Sequence, residues 1–368
     1  MSLILSGCWN MREIEHLIYI NSIGVDYVDN KVVTYLQILS FTNIAKAEAG
    51  GQRQPQVISV GKGVGDSFDS AIFNLYPSAT QRLAWSQVKS VVFTERAIKN
   101  GIVHEVLDEF DRYYELRYTV WAFATKERIE DIFDAKPILN ISVLYSRLTD
   151  PQDMYRQNAI LRPIQLYRFV SMINDKNRAV LLPYLSLTDK HWAENKKPLP
   201  ELELDGVCIL QNKKLKGCIP REQLPGLRWL ERNTTRSAIP LKKGKLPIAL
   251  VVLERPKAKI TPTLKNGTPV FDVKINVSGY VTERASLIPL SEMETLTAKK
   301  IKEEVIKTFQ TGLKHDADVL QLGHLFYKRQ PHTWKKLSKD HTLPITEKSL
   351  ASVDVQVKIV HGGLSKMK

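Results

Sequence analysis

The alternation of apolar and polar residues predicts strands and short helices along the first half of the chain. Residues 17–39 contain two apolar, β-branched runs on either side of Asp29-Asn30, which predicts strand, turn and strand. Residues 57–60, 88–93 and 118–124 are short apolar runs typical of strands. Residues 95–100 and 103–110 have helical spacing, and Gly101 between them predicts a helix end. Short helices therefore alternate with strands in this half.

The second half reads as a sheet followed by one long helix. Residues 257–264 and 270–281 flank Asn266-Gly267, which predicts a hairpin. Ser291 and Glu294 have the spacing of a capping box at a helix start. Behind them an apolar stripe of period close to 3.6 predicts an amphipathic helix; it consists of Met293, Leu296, Ile301, Val305, Phe309 and Leu313. Residues 353–360 alternate cleanly and predict a final strand.

These elements predict a multi-domain α+β fold with mixed or antiparallel sheets flanked by helices. In the C-terminal domain a sheet packs on the one long amphipathic helix. A chain of 368 residues is long enough for two or three domains. The polar stretch 193–200, with Pro198 and Pro200, is the best candidate for a linker. We therefore predict an N-terminal α+β region at 9–198, which can divide into two subdomains, and a C-terminal α+β domain at 199–368.

Composition and charge narrow the class of protein. Hydrophobic residues make up 43% and charged residues 25% of the chain, as in folded globular proteins. No run approaches the roughly 18–20 consecutive apolar residues of a membrane helix. The formal net charge of +14 has three readings: binding to nucleic acid, contact with anionic lipid headgroups, or a lysine-rich solvated surface. No zinc-finger, RRM or basic-zipper pattern accompanies the lysines, so nucleic acid is not predicted as a partner.

The sequence gives no positive indication of an enzyme, and no catalytic, cofactor-binding or metal-binding residue is predicted. Residues Gly61–Asp66 superficially resemble a phosphate-binding loop but lack the Gly-Lys-Ser/Thr ending, and we expect their glycines to turn the chain from strand to helix. The histidines show no metal-ligand spacing, and no G-x-S-x-G motif is present. The acidic pair Asp108-Glu109 reads as a solvated helix face.

Two of the three cysteines flank a predicted hairpin. Cys208 and Cys218 stand on either side of a segment with Asn212 at its tip. A three-residue turn would place the two sulfurs opposite each other, whereas a two-residue turn would offset them by one position. A disulfide bond and a pair of small buried apolar residues are both compatible with this pattern, and the second is favoured.

The third cysteine lies in a motif at the N-terminus. Leu5-Ser6-Gly7-Cys8 has the form of a bacterial lipobox, in which signal peptidase cuts before the cysteine and the thiol is joined to diacylglycerol. Only Met1–Ile4 precede the motif, without the basic residues and the apolar run of a secretory leader. We therefore read residues 1–8 as the remnant of a lipoprotein signal peptide whose beginning is missing, so that the sequence as written would not be exported. Cys8 is the predicted lipidation site.

An ordered set of landmarks along the chain resembles the Ger(x)C family, the C-subunit lipoproteins of spore germinant receptors. The landmarks are Gly7-Cys8-Trp9, Arg12-Glu13-Ile14, Ile23-Gly24-Val25-Asp26, Asp111-Arg112, Glu115-Leu116-Arg117, Asp205-Gly206, Lys214-Leu215-Lys216-Gly217, Leu227-Arg228-Trp229-Leu230, Asn266-Gly267-Thr268-Pro269-Val270-Phe271, Asp318, Leu322-Gly323, Lys328-Arg329-Gln330-Pro331 and Trp334-Lys335-Lys336. No single motif is specific, but their order is, and the set spans nearly the whole chain from Cys8.

The resemblance implies a non-enzymatic subunit for nutrient-triggered spore germination. It would be lipid-anchored through Cys8 on the outer face of the spore inner membrane, with a membrane A subunit and a transporter-like B subunit as partners. The basic surface would contact membrane lipid. One alternative is a lipid-anchored binding protein that itself captures a small nutrient. Another is a basic cytoplasmic nucleic-acid binder in which Leu5–Cys8 is accidental.

Overall fold

A computed structural model describes residues 17–39, 57–175, 178–285, 288–339 and 342–361, apart from the side chains of Asn140 and His361. The strands are β1 Leu17–Val28, β2 Lys31–Leu39, β3 Ile58–Gly65, β4 Arg82–Ala84, β5 Ser90–Thr94, β6 Trp121–Thr125, β7 Ile164–Gln165, β8 Val180–Thr188, β9 Ala193–Glu194, β10 Lys197–Pro198, β11 Glu201–Gln211, β12 Lys214–Pro220, β13 Arg236–Lys243, β14 Leu246–Lys265, β15 Thr268–Arg284 and β16 Leu350–His361. The α-helices are α1 Phe68–Phe73, α2 Glu95–Lys99, α3 Ile102–Arg112, α4 Ile129–Asp134, α5 Gln152–Gln157, α6 Leu166–Ile173, α7 Leu227–Leu230, α8 Leu290–Lys314, α9 Leu322–Arg329 and α10 Pro331–Leu337.

The first of the two large sheets contains ten described strands in the order β12-β11-β8-β6-β5-β1-β2-β3, with β4 beside β1 and β7 beside β6. Its central strands β1, β5, β6 and β8 are parallel, and the outer pairs are antiparallel. Val91 and Phe93 of β5 pack in a core with α1, α2, α3 and α6, whereas Val92 packs in a core with α4. Helices therefore cover both faces, as parallel strands require.

The second large sheet has the order β13-β14-β15-β16 and carries α8 on one face. Its first three strands are antiparallel, and β16 runs parallel to β15. The predicted helical stripe is buried at Met293, Ile301, Val305 and Phe309, in one core with the apolar residues of β15. The structure thus confirms the predicted α+β fold with mixed sheets and one long helix on the C-terminal sheet.

Strand β11 has its two faces in two different cores. Cys208 and Leu210 pack with the core of the first sheet, whereas Val207 and Ile209 pack with the core under α8. None of the four is more than 2% exposed. A continuous apolar run of this kind is typical of a strand buried on both faces. Strand β11 is therefore the element that separates the two cores and contributes side chains to both.

The polar stretch predicted as a linker forms a small two-stranded hairpin that is separate from the first sheet. Strands β9 and β10 lie in it, and the strands on either side, β8 and β11, pair directly with each other from Thr188 and Glu201 onward. Strands β11 and β12 follow residue 198 and still hydrogen-bond into the first sheet. The division into 9–198 and 199–368 stays a prediction.

Cys208 and Cys218 face each other across β11 and β12 and are joined by a disulfide bond. This corrects the favoured expectation of two separate apolar residues. The turn contains only Asn212 and Lys213, both with positive φ, and a two-residue turn alone would offset the cysteines. The pairing shifts between Leu210 and Ile209, where Lys216 is an extra residue on the opposite strand. This β-bulge brings the cysteines into register.

The glycines at 61, 63 and 65 lie within β3 and not in a turn, which corrects the sequence prediction. A Cβ on Gly63 would overlap the carbonyl oxygen of Ala71, and one on Gly65 would overlap Ser70. Both contacts are with α1, the helix that follows β3. The glycines therefore allow α1 to lie directly on the strand, an approach that any side chain would block.

The predicted capping box at the start of the long helix is also corrected. Helix α8 begins two residues earlier than predicted, with Pro289 and not Ser291 at the N-cap and with Ser291 inside the first turn. The Glu294 carboxylate accepts a hydrogen bond from the backbone N–H of Ile359 at 2.8 Å. Because Ile359 belongs to β16, this bond ties the first turns of α8 to the last strand of the sheet.

We expect Gly63→Ala to lower the free energy of unfolding by about 1–3 kcal/mol, because its methyl group would displace α1. Gly61→Ala is the matched control, since its Cβ would lie at an ordinary 3.5 Å from the Leu75 side chain. The control should stay within about 0.5 kcal/mol of the unchanged chain. Urea denaturation followed by tryptophan fluorescence measures both, and equal stabilities would contradict the close packing of α1 on β3.

Candidate functional site

The predicted lipidation site, Cys8, lies outside the described residues, which begin at Leu17. Its modification stays a prediction. Several other landmarks are described, and the structure places them in three groups of contacts. These lie at the end of β1, at the β11–β12 hairpin and around α7.

At the end of β1, Asp26 is 3% exposed and its carboxylate is surrounded by donors. The Thr94 hydroxyl donates to it at 2.5 Å, the Arg96 guanidinium donates to both of its oxygens, and the Tyr27 N–H donates at 2.7 Å. Hydrogen bonding to Asp26 raises the pKa of Arg96. Because Thr94 and Arg96 flank the start of α2, this carboxylate holds that helix against β1.

The tip of the β11–β12 hairpin contacts both the loop between α8 and α9 and the segment between α10 and β16. Lys216 forms an ion pair with Asp316. The Asp318 N–H donates to the Gln211 side-chain oxygen at 3.1 Å, and the Asn212 amide donates to the Thr342 hydroxyl at 2.7 Å. Two landmarks that are distant in sequence, the hairpin around Lys216 and the segment around Asp318, thus form one region.

Asp318 is itself buried, and its carboxylate closes the start of α9. It accepts hydrogen bonds from the backbone N–H groups of Leu322 at 2.9 Å and Gly323 at 2.7 Å. Burial raises the pKa of the Asp318 carboxyl to about 6, and the hydrogen bonds from Gly323 and Leu322 offset only part of that rise. The Leu322-Gly323 landmark is therefore the partner of the Asp318 landmark.

Around α7 the landmark Leu227–Leu230 meets the long helix. Arg228 Nη2 donates to both oxygens of the Glu304 carboxylate at 2.9 Å, and Trp229 Nε1 donates to the same carboxylate at 2.7 Å. The Arg228 guanidinium also stacks 4.7 Å from the Trp229 ring centre. The Gly226 N–H donates to the Thr308 hydroxyl at 2.7 Å, one helical turn beyond Glu304. These bonds fix α7 on α8.

Sequence reasoning did not identify the partners of these landmarks. One feature of the sequence indicates that Glu304 is buried and paired. It is a charged residue in line with the apolar stripe, next to Val305 and three positions after Ile301. Arg96 and Gln211 have no such feature, since neither their spacing nor their neighbours differ from those of ordinary polar residues. Their roles depend on which strands and loops the fold brings together.

Within the described ranges, no three His, Cys, Asp or Glu side chains come close enough to hold a metal ion. Nor is any described helix both long and apolar enough to cross a membrane. One recess of about 360 Å³ lies between α8 and the start of β16, lined by residues that include Ile306, Phe309 and Leu350. Another, of about 290 Å³, is lined by residues of β14, β15 and β16.

Comparison with known proteins covers both halves of the chain. Residues 10–187 match the family described as "Spore germination protein N-terminal domain", and residues 205–363 match "Spore germination B3/ GerAC like, C-terminal". Spore germination protein KC of Bacillus subtilis (strain 168) is 25% identical over an alignment of 361 positions that covers 91% of this chain and 87% of that protein. Spore germination protein B3 of the same organism is 23% identical over an alignment of 376 positions that covers 99% of this chain and 96% of that protein.

The fold is that of a solved protein structure, the one of the GerBC protein. The crystal structure of the GerBC protein matches with a TM-score of 0.58 at 19% identity, covering 92% of this chain and 97% of that chain. The described fold and the two matched regions define a two-part spore-germination protein. The chain belongs to the Ger(x)C family, the C-subunit family of germinant receptors, and the predicted resemblance is confirmed.

We expect Glu304→Gln to lower the free energy of unfolding by about 3 kcal/mol, because it leaves the mostly buried Arg228 without its counter-charge. Glu303→Gln, at the exposed neighbouring position, is the control and should change stability by less than about 0.5 kcal/mol. Chemical denaturation measures both. The double variant Arg228→Leu/Glu304→Leu should be less destabilised than the sum of its single variants; simple additivity would argue against the ion pair.

The raised pKa of Asp318 predicts a pH-dependent stability. The folded pKa of about 6 exceeds the ordinary 3.8, so the folded state binds the proton more tightly than the unfolded state. The stabilisation from this group is complete below the unfolded pKa and is lost as the pH rises through about 6. We therefore expect Asp318→Asn to gain about 2 kcal/mol relative to the unchanged chain between pH 4 and pH 7.

Urea denaturation at both pH values measures this difference. Asp189→Asn, at an exposed position in the loop after β8, is the control and should follow the unchanged chain at both pH values. A stability difference between Asp318→Asn and the unchanged chain that does not vary with pH would show that Asp318 is ionised throughout the range.

Proposed function

We propose that this chain is a non-catalytic, lipid-anchored C subunit that acts with the A and B membrane subunits of a nutrient germinant receptor. The observation that supports this role most directly is the order and extent of the two family matches, at residues 10–187 and 205–363. The relatives that align along nearly the whole chain bear the names of spore germination proteins. The proposed location is the outer face of the spore inner membrane.

The proposed anchor is the thiol of Cys8. Nine residue steps separate Cys8 from Leu17, where β1 begins. A fully extended chain spans at most about 3.3–3.6 Å per residue, so β1 would start within about 30 Å of a lipidated Cys8. This tether is short enough to keep the folded part close to the membrane surface. There the net charge of +14 would favour contact with anionic headgroups.

The proposal predicts both a lipid label and membrane partners. In spores that produce the full-length protein with its complete leader, a palmitate analogue should label the unchanged protein. Cys8→Ala should remove the label and release the protein from the membrane fraction, since no thiol remains at the lipobox. An affinity tag on the unchanged protein should co-purify the A and B subunits from detergent-solubilised spore membranes. Gel fluorescence and immunoblotting measure these outcomes.

The double variant Cys208→Ala/Cys218→Ala is the matched control, because it removes the other two cysteines and leaves Cys8 in place. It should keep the label. Label that persists on Cys8→Ala would refute the anchor, whereas a labelled protein that never co-purifies with the membrane subunits would refute the receptor role. Saturable stabilisation of the isolated chain by an amino acid or sugar would support direct nutrient capture instead.

A further inference from the structure

The C-terminal sheet has a polar face on the side opposite α8. Along β15, Val273, Ile275 and Val277 belong to the core under the helix. Because side chains alternate along a strand, Asn276 and Ser278 lie on the other face, where they are exposed. The neighbouring strands place further polar residues beside them.

Three cations, Arg255, Lys257 and Lys358, lie beside these two short side chains, together with one acid, Glu254 of β14, which pairs with Ser278. Lys257 of β14 pairs with Asn276, which pairs with Gln356 of β16 in turn, and Ser278 pairs with Lys358. The resulting recess has a volume of about 290 Å³ and is lined by Arg255, Lys257, Asn276, Ser278, Gln356 and Lys358, with Val277 and Val357. We name it the basic trough. Its floor is the middle strand, and its cations stand on the strands at either side.

A β-bulge in β14 shapes one side of the basic trough. The pairing with β15 shifts between Glu254 and Lys257, and Arg255 has a positive φ of 46°. The Arg255 N–H donates to the Thr235 carbonyl at 3.1 Å. Pro256 is buried, whereas Arg255 and Lys257 are both exposed. Bulges are found where a strand must redirect a side chain, often beside a binding site.

The charges of the basic trough are not balanced from within. Within the described ranges, the side chains of Arg255, Lys257 and Lys358 have no ion-pair or hydrogen-bond partner. Other exposed cations do have one, as Arg112 does with Asp108 at 2.9 Å. The three like charges repel one another, and within the described ranges the neighbouring Glu254 forms no ion pair with any of them. The basic trough is therefore suited to an anion.

We propose that the basic trough binds a phosphate-bearing anion. Its guanidinium and ammonium groups are the donors that recognise phosphate oxygens. Asn276, Ser278 and Gln356 add neutral donors on the floor and the rim. A lipid headgroup and free phosphate present the same chemistry. The proposal depends neither on the anchor at Cys8 nor on assembly with membrane subunits.

The test compares two triple variants with equal loss of charge. The trough variant is Arg255→Gln/Lys257→Gln/Lys358→Gln. The control variant is Lys299→Gln/Lys300→Gln/Lys314→Gln, at exposed positions on α8. Calorimetric titration with inorganic phosphate at low ionic strength forms one arm. Co-sedimentation with vesicles that contain phosphatidylglycerol, against pure phosphatidylcholine vesicles, forms the other.

We expect the trough variant to bind inorganic phosphate at least about tenfold more weakly, or phosphatidylglycerol vesicles about 100-fold more weakly. The control variant should lose no more than about threefold. Phosphate binding alone supports the site with a free anion, and vesicle binding that the trough variant loses supports it with a headgroup. Equal losses in the two variants would overturn the proposal, because only overall charge would matter. Failure of the unchanged chain to bind either probe would overturn it too.

Discussion

A buried carboxylate on the long helix determines how the C-terminal half is assembled. Glu304 is 8% exposed, and a charge in that position destabilises the fold unless donors surround it. Arg228 and Trp229 of α7 are those donors, and Arg228 also donates to the Ser237 hydroxyl at 3.1 Å. Since Ser237 is on β13, one charge fixes a short helix, the long helix and the sheet edge.

Strand β11 extends this coupling to the whole molecule. Its alternate residues belong to the cores of both sheets, so the two halves cannot separate without exposing both cores. At the end of the strand, Gln211 and Asn212 bond the segment around Asp318 and Thr342, and the Cys208–Cys218 disulfide closes the hairpin. A chain with two family regions thus folds around a shared element, and we infer that its halves move together.

Local chemistry made part of this structure predictable. The turn at Asp29-Asn30, the helix end at Gly101, the hairpin at Asn266-Gly267 and the stripe of α8 depend on residues close in sequence, and the structure contains all of them. The predictions that were wrong concern residues whose structure depends on contacts with another element of the fold. Gly63 of β3 allows the close approach of Ala71, and the Glu294 carboxylate accepts a hydrogen bond from Ile359. The two cysteines are brought opposite each other by the β-bulge at Lys216. Cys8 belongs to a short processing motif, which can be predicted from the sequence alone. The basic trough could not be predicted in this way, because it forms only when three strands pair in register.

The landmarks that carry the family resemblance serve mainly to hold the fold. Asp26, Trp229 and Asp318 are buried, and each is bonded to a partner from another part of the chain. Relatives at 23–25% identity can therefore share this architecture. Recognition of a ligand or partner then requires exposed residues that do not hold the fold. In this chain the face of the C-terminal sheet opposite α8 fits that requirement, because the bulge at Arg255 and the unpaired Lys257 and Lys358 add nothing to the core they cover.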